Sequence, residues 1–206
     1  VCARAIPSHM NNQTWLKTSR LHLRPFARED LEVLHALWCD PHVRQFLWDD
    51  IIIPQDAARE VIAASRHSFE QQGFGFWNIL RKDAEQHAGF CGLRFIDEAP
   101  DVEILYGLWP KFWGQGFATE AAQAVLRFGF EACNLECLFA GTDPPNAASI
   151  RVMERLAMKF DRQIRRNNLD VVYYSLSRKE WLTSLSLPIK QPSPFAQLPT
   201  NAAPSN

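Results

Sequence analysis

The stretch that most constrains this chain is a change of hydrophobic period around residue 113. Upstream, Val102–Leu108 is a short apolar run of β type. Downstream, Ala121, Ala124, Val125, Phe128 and Ala132 recur at helical spacing, which predicts a helix from Phe117 to Ala132. Between them stands Trp113-Gly-Gln-Gly116, followed by Phe117-Ala-Thr-Glu-Ala121. A helix start carries unpaired N–H groups and a partial positive charge. Glycines let the backbone come close to an anion. Together they form a pyrophosphate cradle that needs no lysine. The plainer alternative is an ordinary glycine-containing strand–helix turn. It is not a Walker loop, because no Gly-Lys-Ser/Thr closes it. It also departs from G-x-G-x-x-G: Gly114 and Gly116 match, but Thr119 holds the third place.

The remaining periodicities give a mixed sheet. Leu21 and Leu23 alternate in a strand that Pro25 ends, and Leu31, Leu34, His35 and Trp38 mark a helix over residues 28–39, stopped by Pro41. His35 reads as packed core, with a catalytic base as the other reading. A second helix runs from Pro54 to about Gln72, with Gly73 as its C-cap. Three β runs follow, Phe74–Leu80, Ala88–Ile96 and Val102–Leu108. Past the central helix come a short strand at 138–142, a helix marked by Ile150, Met153, Leu156 and Ala157, and a hairpin, 160–166 and 170–177, around Asn167-Asn168. The predicted order is β-α-α-β-β-β-α-β-α-β-β.

With 206 residues, 47% hydrophobic and 22% charged, the chain suits one domain plus a tail, and a net charge of −1 gives no reason to expect nucleic acid or an anionic membrane. Residues 1–17 read as a disordered leader, with Met10 a candidate natural start, 18–182 as the domain, and 183–206 as a flexible Pro-rich tail. A docking peptide at Pro192-Ser-Pro194 is the alternative reading of that tail. Five cysteines with no C-x-x-C pair read as free thiols of a reducing cytoplasm, so no metal site is expected. No apolar run reaches the roughly 18 residues of a membrane span.

Two further motifs bring a family into view. Val102-Glu-Ile-Leu-Tyr-Gly-Leu-Trp-Pro-Lys-Phe-Trp-Gly-Gln-Gly-Phe-Ala-Thr-Glu-Ala121 and Pro145-Asn-Ala-Ala-Ser-Ile-Arg-Val-Met-Glu-Arg-Leu156 stand in order, after an opening Thr18-Ser-Arg-Leu-His-Leu-Arg-Pro-Phe26. From about Ser19 to Trp181 the chain resembles the GNAT superfamily of N-acetyltransferases, in the branch that holds ribosomal-protein N-terminal acetyltransferases. The resemblance implies an α/β (α+β) GNAT fold: a mixed, mostly antiparallel sheet of six to seven strands, flanked by about four helices. Its fourth strand (102–108) and fifth (138–142) would splay apart. The activity it implies is transfer of an acetyl group from acetyl-CoA, the co-substrate, to a primary amine by direct attack in a ternary complex. The acceptor would be a peptide N-terminus or a small amine, and the protein a cytoplasmic monomer or homodimer.

Carried onto this chain, the pantetheine arm would bond backbone groups near Leu108. The N–H groups of Gly114, Gln115, Gly116, Phe117, Ala118 and Thr119 would hold the pyrophosphate. Asn146 would bond the pantetheine region, and Ser149 would lie near the sulfur. Three departures matter. Trp113 stands where many members have Arg or Gln. Met153 stands where many carry a tyrosine acid, so Ser149 becomes the candidate partner of the leaving thiolate. Ala157 replaces the usual glycine. Glu103 is the candidate general base, acting through water, with a surface carboxylate as the other reading. Tyr106 is either a substrate-orienting group or a packed aromatic. Phe46, Trp48, Phe74, Phe76 and Trp77 are either cleft or core, and Asp49, Asp50 and Asp56 either draw in a cationic amine or sit on a solvated loop and helix start. A catalytically silent acyl-CoA-binding module is the competing function. A nucleotide-binding protein lacks its phosphate lysine and metal ligands.

Overall fold

The computed structural model describes residues 15–96, 100–166 and 169–186. The expected leader over residues 1–14, the tail beyond residue 186 and the Asn167-Asn168 hairpin tip lie outside the described residues.

Eight strands form one sheet. They are β1 (Leu16–Lys17), β2 (Leu21–Pro25), β3 (Phe76–Arg81), β4 (His87–Phe95), β5 (Val102–Leu108), β6 (Cys137–Thr142), β7 (Lys159–Arg166) and β8 (Leu169–Ser177). The six α-helices are α1 (Leu31–Cys39), α2 (Pro41–Arg44), α3 (Gln55–Gln72), α4 (Phe117–Glu131), α5 (Ala147–Arg155) and α6 (Arg178–Ser186). The expected strands and longer helices are all present. The expected six to seven strands and about four helices become eight and six among the described residues. The additions have weak local signals. β1 is two residues long and is held by pairing with β2. α2 is a single turn, seeded by Pro41 and the Asp40 side chain, which accepts from the His42 N–H. α6 starts at a reciprocal cap, in which Glu180 accepts from the Ser177 N–H and the Ser177 hydroxyl accepts from the Glu180 N–H. Residues 16 and 17, expected within the leader, form β1, and α6 runs past residue 182, the expected end of the domain.

The strand order is β1-β2-β3-β4-β5-β6-β8-β7, antiparallel except between β5 and β6. Strand alternation separates two cores. On one face Trp77, Leu93 and Ile104 pack against Ala121, Ala122 and Val125 of α4. On the other, Phe76, Phe90 and Leu105 pack against Leu34, Leu37 and Trp38 of α1 and Ala58 and Ile62 of α3. A buried polar chain ties the second core to the end of β5. Arg24 grips Asp30, Asp30 accepts from Asn78 Nδ2 (2.7 Å), and Asn78 Oδ1 meets His87 Nε2 (2.9 Å). Trp109 Nε1 donates to His87 Nδ1 at 3.2 Å, so the imidazole proton sits on Nε2.

The decisive feature is asymmetric pairing of β5. It pairs with β4 along its whole length, from Val102 to Leu108, but with β6 only at Glu103↔Phe139. β6 pairs fully with β8 instead. The two central strands therefore touch at one end and diverge toward the other, as expected for the splay.

Candidate active site

Where β5 parts from β6, the C-terminal end of β5 (Tyr106, Gly107 and Leu108) lines a cavity of about 370 Å³, bounded also by α2, the loop at 113–116, the start of α4 and one face of α5. Trp109 N–H bonds back to Ala88 on β4, so ladder alternation turns the backbone groups of Gly107 and Leu105 toward β4 and those of Tyr106 and Leu108 toward the gap. The Leu108 carbonyl already accepts from Trp113 Nε1 at 2.8 Å.

Gly114 and Gly116 both have left-handed backbone, φ 73° and 79°. A Cβ on Gly114 would meet nothing, so conformation, not space, calls for glycine there. Gly116 is the N-cap of α4 and offers no side-chain cap. The first N–H groups of α4 thus stay available at the cavity wall, which Gly116, Phe117, Ala118 and Thr119 line. Thr119 Oγ1 is buried with no hydrogen-bond partner among the described residues. An anion in the cradle would give both features partners. Gln115 lies apart from the lining residues. Its side chain donates to the Lys111 carbonyl at 2.9 Å, and its own carbonyl accepts from Arg20 at 3.0 Å, which leaves it only a backbone role.

Arg20 and Glu120 fix this loop from outside the cavity. The Arg20 guanidinium sits 4.5 Å over the Phe117 ring and pairs with Glu120 at 2.6 Å. Glu120 also accepts from Thr18 Oγ1 (2.6 Å), Ser19 Oγ (2.9 Å) and the Arg20 N–H (2.8 Å). Burial pushes its carboxyl up, but the bonds from Thr18, Arg20 and Ser19 outweigh that and hold it at about 2.

On α5, Asn146 is the N-cap, and its Oδ1 accepts from the Ser149 N–H at 3.1 Å. Ser149 Oγ lies 3.0 Å from Tyr106 Oη, and Tyr106 also donates to the Ser149 carbonyl at 3.2 Å. Asn146, Ser149, Tyr106 and Leu108 all line the cavity. Met153 is sealed in the core at 1% exposure. Ala157 keeps the turn a glycine would favour, with φ 61°.

Glu103 sits elsewhere. It is 5% exposed at the closed end of the gap, its carboxylate 2.7 Å from Arg94 Nε, and outside the cavity lining. Three strand residues, about 10 Å, separate it from Tyr106, on the opposite face of the strand. Of the aromatics, Phe46 lines the cavity; Trp48 packs on the α1–α3 core, Phe76 lies within it, and Phe74 and Trp77 lie in the α4 core. His35 bonds the Ile53 carbonyl at 2.9 Å, which fits a packed histidine. Asp50 pairs with Arg44, and Asp56 with Arg59. Burial raises the Asp143 carboxyl, and Asp49 adds to that.

Sequence reasoning missed Arg151, Arg155 and His42, which also line the cavity. Neither arginine has an ion-pair partner among the described residues. Their signal was present: Ala148, Arg151, Val152 and Arg155 form one helical stripe. Among the described residues no cluster of three or more His, Cys, Asp and Glu is placed to hold a metal, and no helix is long and apolar enough to cross a membrane.

The family model described as acetyltransferase (GNAT) domain matches residues 20–159. The chain is 33% identical to an uncharacterized N-acetyltransferase p20 of Bacillus licheniformis, over 81% of this chain and 97% of that one. It is 30% identical to the FsC-acetyl coenzyme A-N(2)-transacetylase of Aspergillus fumigatus, over 82% of this chain and 79% of that one. The solved RimL ribosomal L7/L12 alpha-N-protein acetyltransferase, in complex with coenzyme A, shares the fold with a TM-score of 0.69 at 19% identity, over 81% of this chain and 99% of that one. A splayed sheet, a helix start bare of side-chain caps and a matching family model lead to one conclusion: this chain belongs to the GNAT acetyltransferase family, the acetyl-CoA-dependent N-acetyltransferases.

Proposed function

We propose that the cavity between β5, α4 and α5 holds acetyl-CoA and that a primary amine attacks it directly, with both substrates bound. The observation that carries this is the set of uncapped N–H groups at the start of α4, beside a partnerless Thr119 hydroxyl, at the mouth of the strand gap. The N–H groups of Gly114 through Thr119 would hold the pyrophosphate, Gln115 through its backbone alone. Tyr106 and Leu108 would bond the pantetheine arm as an added strand does, with Asn146 beside it. Arg151 and Arg155 supply positive charge for the remaining phosphate. Bound there, acetyl-CoA supplies an acyl carbon with a thiolate as its leaving group.

The chain's own residues then do three things. Backbone N–H groups of β5 that face the gap stand where an acyl oxygen can be polarised. Ser149 offers a hydroxyl to the leaving sulfur. Glu103 is the base, through water, because Arg94 grips its carboxylate and the strand places it beyond direct reach. The acceptor enters at the end lined by His42, Phe46 and Leu47. It is a peptide N-terminus or a small amine, in keeping with the alpha-N-protein and N(2) transfers named in the similar proteins.

Calorimetric titration with CoA, followed by initial-rate kinetics on an amine panel, tests this. The expected result is CoA binding and a sequential rate pattern with thiol release only when amine is present. Absence of CoA binding, or thiol release in a separate half-reaction, would overturn it.

A further inference from the structure

Tyr106 and Ser149 approach from opposite walls of the cavity, one on β5 and one on α5, and meet hydroxyl to hydroxyl at 3.0 Å. Ser149 is held along its length. Its N–H goes to Asn146, and its carbonyl accepts from Tyr106 at 3.2 Å. Each hydroxyl has one hydrogen to give, so the pair has two arrangements. When Tyr106 donates to the Ser149 carbonyl, the serine hydrogen is tied to the phenol oxygen. When Tyr106 donates to Ser149 Oγ, the serine hydrogen is released into the cavity. Met153, buried in the core, brings no hydroxyl to compete.

We infer that Tyr106 is a positioning residue that switches Ser149 from the first arrangement to the second, aiming the serine hydrogen at the sulfur as the thioester breaks. This role rests on the assignment of Ser149 as the hydroxyl nearest the leaving group. In the step, the amine lone pair forms the C–N bond and the C–S pair leaves on sulfur. Ser149 hydrogen-bonds the thiolate. The proton shed by nitrogen passes through water to Glu103, the thiolate takes one from water, and Glu103 returns its proton to the hydroxide left behind, so neither hydroxyl is consumed. Burial pushes the phenol's pKa up, which keeps Tyr106 a donor across the neutral and alkaline range.

The test is a double-mutant cycle on Tyr106→Phe and Ser149→Ala, with Kd for CoA and melting temperature measured on each variant. Tyr106→Phe keeps the ring and removes only the oxygen. It should lower kcat about tenfold, the scale of one hydrogen bond, and leave KM for acetyl-CoA and Kd for CoA within about twofold. Ser149→Ala should lower kcat at least as far, Ser149→Thr should recover part of it, and the double variant should be no slower than Ser149→Ala alone. Wild-type kcat in Tyr106→Phe, or losses that multiply in the double variant, would overturn the positioning role. An unchanged kcat in Ser149→Ala would instead remove the assignment of Ser149 beneath it.

Discussion

An amine must be neutral before it can attack, and which amine it is sets the pH at which help is needed. An α-amine titrates near 7.7–8.0 and a lysine-type amine near 10.4. If Glu103 removes that proton through water, Glu103→Gln should lower kcat/KM by about 10² or more at pH 6, the usual scale for a general base. For an α-amine acceptor the deficit should shrink above about pH 8, where the amine is already neutral. For an acceptor of lysine type it should persist. A pH profile of kcat/KM for both proteins reads this directly, and superimposable profiles would remove Glu103 from the chemistry. Ala157 gives a test of stability at the same scale. Its φ of 61° is left-handed, which costs a non-glycine residue about 1–2 kcal/mol. Glycine avoids that cost but gains unfolded-chain entropy, so Ala157→Gly should stabilise by about 0.5–1 kcal/mol. Differential scanning calorimetry should show a rise of about 1–4 °C, and a fall would mean the turn is not strained.

The start of α4 is where element and site coincide. The helix has no side-chain cap of its own, and the β1–β2 corner anchors it through Glu120. That carboxyl sits at about 2 in the fold against an ordinary 4.5. A depressed carboxyl contributes its stability above the unfolded value and loses it as pH falls toward the folded one. Glu120→Gln should therefore melt below the native protein at pH 7, and the two melting curves should converge between about pH 4.5 and 2. A constant gap across that window would show that charge is not what holds the corner. CoA affinity should fall along with it, because Arg20 bonds both Glu120 and the Gln115 carbonyl of the loop.

Across the whole molecule, the buried chain from Arg24 to Trp109 makes stability depend on pH near neutrality. Burial above all, with Arg24 and Lys111 adding to it against the opposing pull of Asp30, brings His87 from 6.5 down to about 4. The unfolded chain takes up this proton first, so stability is full above pH 6.5 and falls as pH drops toward 4. Melting temperature should decline across that range, and His87→Gln, which can still donate and accept, should flatten the decline. A slope unchanged in His87→Gln would place the titration elsewhere. Much of this molecule was legible in the chain itself. The Gly-x-Gly junction, the extents of α3, α4 and β5, and the Gly73 cap follow from side-chain period and from backbone preferences that act over a few residues; the Asn146 cap emerges only in the structure. Leu108, Thr119, Asn146 and Ser149 all line the cavity, while Gln115 turns back onto its own loop. The sequence by itself thus determined the local elements and the donors at the start of α4, because hydrophobic period and glycine conformation are properties of neighbouring residues. Only the tertiary structure decided that Arg94 would close on Glu103, that Arg20 would reach Glu120, and that Tyr106 would meet Ser149. Those contacts join distant stretches of chain, and they exist only once strand pairing has fixed which side chains share a face.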